Sequence, residues 1–91
     1  SLHKNILIMR LKRKLAISEN GFIFDPTTGE SFSTNNEGIE IIQLLNQQKS
    51  DEEIKKYFIE NYDIDETGFE RSYLDFVTTL RYFNLIEDEQ N

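Results

Sequence analysis

Any chemistry done by this chain would have to come from oxygen atoms and a few amines. The 91 residues contain no cysteine and one histidine, His3. Disulfides, iron–sulfur clusters, thiolate zinc sites and a cysteine nucleophile are therefore excluded. His3 stands at the start of the sequence and serves a Ser-His-Asp arrangement only if those first residues fold back. The four glycines, Gly21, Gly29, Gly38 and Gly68, are isolated, so no phosphate-cradling loop is present. Carboxylates are plentiful, and nothing in the sequence singles out a pair for acid–base work. Asp51-Glu52-Glu53 is a first-turn cluster that suits a helix dipole. Asp63, Asp65 and Glu66 come closest to a calcium loop, lack its full ligand spacing, and read better as a helix cap. No catalytic residue, metal ligand or cofactor follows from these patterns, and the chain is expected not to be an enzyme.

Charge narrows the partners. Residues 1–14 carry Lys4, Arg10, Lys12, Arg13 and Lys14 and no acid. Residues 15–91 hold 5 basic and 17 acidic side chains, a balance of −12. A body this acidic is repelled by phosphate backbones, so no nucleic-acid partner is expected. The basic stretch could touch nucleic acid or anionic lipid, but a solvated strand and arm is the favoured reading. The run Ile6-Leu7-Ile8-Met9 is too short for a membrane span and lacks the cleavage region of a signal peptide, so no membrane partner is expected. A small domain without disulfides fits a reducing compartment, and the cytoplasm is the expected location.

The elements that must position any site follow from periodicity. Leu15 and Ile17 share one face of a strand over Lys14–Ser18. Phe22 and Phe24 share a face of a second strand, Gly21–Phe24. Asp25-Pro26-Thr27-Thr28-Gly29 is a turn: Pro26 presets φ, Asp25 bonds its own backbone, and Gly29 takes positive φ. Ser31–Thr34 returns as a third strand, and Asn20-Gly21 is a hairpin signal. An antiparallel meander results, with Phe22, Phe24 and Phe32 expected on one face. Three helices follow. Asn35 or Asn36 caps the first, whose broad apolar side (Ile39, Ile41, Ile42, Leu44, Leu45) suits a central buried helix that frays at Asn46-Gln47-Gln48. Ser50 and Glu53 have capping-box spacing for the second, which buries Ile54, Tyr57 and Phe58. The third starts near Asp65 or Glu66 with a stripe of Phe69, Tyr73, Phe76, Leu80 and Phe83, and Leu85 and Ile86 tuck against the core. The fold class is α+β, winged-helix-like: a three-stranded antiparallel sheet followed by three helices. Its expected bounds are an arm over 1–11, a single domain over 12–88 and a tail over 89–91. With 37% apolar residues, including seven Phe and four Tyr, the chain can build one modest core.

The run from Gly21 to Phe32, GFIFDPTTGESF, precedes Thr34-Asn35-Asn36-Glu37-Gly38. After it come Leu44-Leu45, a capped helix, Tyr62-Asp63-Ile64-Asp65, and Arg81-Tyr82-Phe83-Asn84-Leu85-Ile86. In order and spacing this resembles the PqqD family, named for the small protein of pyrroloquinoline quinone biosynthesis, over about residues 12–88. The GFxFDPxTGESF wording also resembles a PqqD-like subgroup associated with an HPr-kinase-related peptide system. The resemblance implies a RiPP recognition element, a winged-helix-like module that binds the leader segment of a ribosomally made precursor peptide. It implies a peptide chaperone that delivers the leader to a modifying enzyme, often of the radical S-adenosylmethionine type. The leader would pair as an added strand with the third strand and lie beside the third helix. Carried over by position, the docking edge is Ser31, Phe32, Ser33 and Thr34. On the third helix Leu74 and Val77 flank the core stripe beside Arg81, with Tyr73 shared between core and groove. These eight residues are the expected peptide-binding set. Two other functions compete. One is an assembly module that docks a folded partner without binding peptide, including a homodimer built through Ile6–Leu11. The other, disfavoured by charge, is winged-helix DNA binding.

Overall fold

The computed structural model describes residues 7–90. His3 and the first residues of the expected arm lie outside them. The described elements run β1 (Leu7–Leu11), β2 (Ala16–Ile17), β3 (Phe22–Phe24), β4 (Ser31–Ser33), α1 (Asn36–Asn46), α2 (Asp51–Asn61), α3 (Glu66–Tyr82) and β5 (Ile86–Gln90). The α+β class and the order of meander and helices are as expected. The pairing of β1 with β5 is an addition.

β2, β3 and β4 form an antiparallel sheet in that order. Its two turns are set by local chemistry. At the first, Phe22 N–H donates to Ser18 Oγ at 3.1 Å and Gly21 has φ 89°. A Cβ on Gly21 would collide with the Thr34 carbonyl oxygen, so glycine is required there on two counts. At the second, Asp25 Oδ1 accepts the Thr27 N–H at 2.9 Å, and Gly29, at φ 79°, returns its N–H to the Asp25 carbonyl at 2.8 Å. Lys14 Nζ lies 3.2 Å from Asp25 Oδ2 and ties the turn to the segment before β2.

The face assignment of the meander is corrected. Register pairs Ile17 with Ile23 and Ile23 with Phe32, and this row faces the helices. Side chains alternate along a strand, so Phe22 and Phe24 point to the other face, 57% and 44% exposed, while Ile23 is 1% exposed. Phe32 therefore does not share a face with them. The register, fixed by the inward row of Ile17, Ile23 and Phe32, puts the phenylalanines on two faces.

Asn35 caps α1 through its Oδ1, which accepts the Gly38 N–H at 2.8 Å. Ser50 and Glu53 close the capping box of α2 at 3.1 and 2.8 Å, and Asp65 Oδ1 accepts the Gly68 N–H at 2.7 Å to cap α3. α1 is the shared wall between two core clusters. Ile39 and Ile42 pack with Leu11, Ile23, Val77 and Leu80; Ile41 and Leu45 pack with Ile54, Phe58 and Phe69. A Cβ on Gly38 would sit 3.1 Å from the Phe76 ring, so its absence sets how closely α1 approaches α3.

Leu7–Leu11, expected as part of an arm, forms β1 and pairs antiparallel with β5 of the same chain, Leu11 opposite Ile86. Leu11 is fully buried and its N–H donates to Asn46 Oδ1 at 3.0 Å. Lys12 N–H extends the pairing to the Leu85 carbonyl at 2.9 Å. Leu85 and Ile86 are buried, as expected.

Candidate functional site

β4 lies at the edge of its sheet. Which of its backbone groups face out follows from the ladder. Thr34 N–H bonds the Gly21 carbonyl and Asp25 N–H bonds the Glu30 carbonyl, each at 2.8 Å. Midway between these bonded pairs, Phe32 opposes Ile23. Antiparallel ladders alternate, so Phe32 also directs its N–H and C=O to β3. Ser31 and Ser33 then turn theirs to the open rim. This rim carries two donors and two acceptors in the spacing of an antiparallel partner strand.

Beside the rim lies a groove of about 280 Å³ between β4 and α3. Phe32, Ser33 and Thr34 form one wall, and Phe76, Thr79 and Phe83 the other, over a floor of Ile23, Leu80 and Leu85. The rings of Phe32 and Phe83 meet across it with centroids 5.2 Å apart. No lining side chain is charged, so the groove suits an apolar guest side chain. Phe83 remains 47% exposed although the sequence pattern assigned it to the core stripe. It sits at the C-cap of α3, where the chain turns through Asn84 at φ 60°.

The expected residues divide. Ser31, Phe32 and Ser33 stand together on β4, and Thr34 follows directly. The expected residues of α3 stand elsewhere. Val77 is 8% exposed and packs in the core. Leu74 is 65% exposed and lies about 140° around the helix from Thr79, at about 100° per residue. Arg81 holds Asp88 of β5 through both terminal guanidinium nitrogens, at 3.2 and 3.0 Å. Tyr73 donates its hydroxyl to Asp51 Oδ1 at 2.7 Å and faces the helices. The core stripe has two flanks, and the groove lies on the Thr79 side. A threonine between Phe76 and Phe83 was the available signal for that flank.

A larger depression, about 390 Å³, lies among the helices and is lined by Ile41, Phe58, Tyr62, Ile64, Phe69 and Tyr73 among others. Its rings follow one another, Tyr62 stacked on Phe58, Phe58 tilted against Phe69 and Phe69 stacked on Tyr73, with centroids 5.0 to 5.4 Å apart. A hydrogen bond to Glu40, with burial, pushes the Tyr62 hydroxyl up to about 12. Burial and Asp51 raise Tyr73 further. Both phenols are neutral at physiological pH and have carboxylate partners. Its lining comes from the three helices, the α1 cap residue Asn35 and the α2–α3 loop, and none of the lining residues belongs to a strand, so this depression offers no sheet edge for an extended chain.

Among the described residues no cluster of three or more acidic or histidine side chains could hold a metal ion. No described helix is long and apolar enough to cross a membrane.

The family model for coenzyme PQQ synthesis protein D (PqqD) matches residues 20–86. The chain belongs to the PqqD family. Among solved structures it is similar to one titled lasso peptide synthetase B1 complexed with the leader peptide, with a TM-score of 0.81 and 22% identity, covering 88% of this chain and 98% of that one. At that identity the likeness shows the fold. A search of curated proteins found no match. The matched span in this PqqD-family chain runs from the β2–β3 turn through β4 and α3 to the first residue of β5.

Proposed function

We propose that this PqqD-family chain is a non-catalytic adaptor. It binds the leader segment of a ribosomally made precursor peptide by strand addition to β4 and presents it to a modifying enzyme. The observation that carries the reading is the open rim of Ser31 and Ser33 beside an uncharged groove. Backbone pairing supplies affinity without demanding particular side chains, and the groove supplies selection at alternate positions. A similar fold in a structure whose title names a leader peptide supports the same assignment. Family membership supports a partner enzyme, and the radical S-adenosylmethionine class is the partner we propose.

The docking set is Ser31, Phe32 and Ser33 of β4 with Thr34 after it, and Phe76 and Thr79 of α3 with its C-cap Phe83. Titration with synthetic leader segments of precursor peptides encoded beside the gene tests it. Phe83→Asp, which places a charge at an exposed ring position, should weaken binding about tenfold or more, because the guest side chain would lose its apolar wall. Circular dichroism should remain near that of the parent chain. Saturable binding that ignores both Phe83→Asp and a proline at Ser33 would refute the site.

A further inference from the structure

The outer face of the meander departs from the usual pattern. An antiparallel sheet covered on one side normally shows polar residues on the other. Here Phe22 and Phe24 occupy that face, 57% and 44% exposed. Their cross-strand partners on β4 are Ser33 and Ser31. Each large ring therefore stands behind a small residue, and the small residue stands at the rim. Phe83, the third exposed phenylalanine of the described residues, touches Phe32 on the opposite face of the same strand. The exposed phenylalanines thus border β4 from both sides.

We propose that Phe22 and Phe24 are specificity-determining residues that read the outward side chains of a peptide added to β4. The proposal rests on the strand-addition reading and goes beyond it by naming the peptide class. A guest residue opposite Phe32 points inward, to the groove. This is a non-hydrogen-bonded position, where cross-strand side chains approach most closely. The guest residues before and after it oppose Ser31 and Ser33, bond to the rim, and point outward. Two strand spacings, about 9.5 Å, separate such a residue from β3. The serines leave that interval open, so a large guest side chain reaches over them to Phe22 or Phe24. A small or charged one leaves the rings in water. The groove alone selects every second residue. With the outer pair, the selected peptide carries apolar residues, preferably aromatic or long aliphatic, at three consecutive positions.

A displayed library of short random peptides, selected on the parent chain, tests this. Enrichment of three consecutive apolar residues is expected. A synthetic peptide from that pool should lose about three- to tenfold in affinity for a Phe22→Ser/Phe24→Ser variant. Its derivative with serine at the two outward positions should bind parent and variant alike. Because the peptide changes need no change in the protein, the comparison stands even if the variant is less stable. Enrichment confined to alternate positions overturns the proposal, as does equal binding of the selected peptide to both proteins. A selected peptide that ignores Phe83→Asp and Ser33→Pro would instead mean that the β4 edge is not the site. Peptides sensitive to those two changes but indifferent to the outer pair would leave the edge standing and remove Phe22 and Phe24.

Discussion

Proline at Ser33 and proline at Phe32 are neighbouring substitutions with opposite expected consequences. The N–H of Ser33 faces the open rim, whereas that of Phe32 serves the bond to Ile23. Ser33→Pro should keep the melting temperature within a few degrees, as surface changes usually stay within about 0.5 kcal/mol. It should weaken peptide binding by removing one rim donor. Phe32→Pro breaks the β3–β4 ladder and removes an inward ring, and should cost about 2 kcal/mol or more in urea unfolding. A larger loss of stability in Ser33→Pro than in Phe32→Pro would show that the ladder phase is reversed. The sequence indicated that Ser31–Thr34 is an edge and that its serines are small. It did not indicate the phase, because that depends on which residue of β3 sits opposite.

The turns and caps are the elements that local chemistry writes most directly. Asp25–Gly29, Asn35, Ser50 with Glu53, and Asp65 behave as their residue types dictate, since each satisfies its own backbone within a few residues. Asp25 has a pH consequence. Burial raises its carboxyl, but the Thr27 N–H and Lys14 outweigh this and hold it below the ordinary carboxylate value of 3.8. The folded form therefore prefers the ionised acid. Its contribution is fully present above the unfolded value and is lost as pH falls through the lowered folded one. The destabilisation by Asp25→Asn, measured by urea at neutral pH, should accordingly shrink below about pH 4. The end of α1 departs from local preference, since Gln48 adopts φ 64° while its N–H bonds the Leu45 carbonyl at 2.9 Å. Left-handed backbone penalises a Cβ, so Gln48→Gly should stabilise the chain by about 0.5–1 kcal/mol in thermal unfolding. On α3 the pattern was ambiguous by nature. Steps of four and three define a core stripe, yet either flank of it can face a groove, and only the position of β4 chooses the Thr79 side.

Across the whole molecule, the long-range pairings are what the sequence conceals. β1 carries Arg10 among apolar residues and β5 reads IEDEQ, so neither announces a partner nearly eighty residues away. Leu11, fully buried and bonded to Asn46, ties the pairing to the core. Leu11→Ala should cost about 2–5 kcal/mol in chemical denaturation. A cost near zero would show that β1 is dispensable. The net charge of −7 predicts a further whole-molecule result. Mobility-shift assays with duplex DNA at low salt should detect no tight, salt-sensitive complex.

Leu7 is registered against Gln90. Neighbouring antiparallel residues stand about 5 Å apart, so a short linker from Gln90 to Leu7 would close residues 7–90 into a circle. A circular permutant reopened between α1 and α2 would retain every strand pairing and leave the β4 rim uninterrupted. The route by which the polypeptide visits its elements is therefore exchangeable, while their adjacency is not.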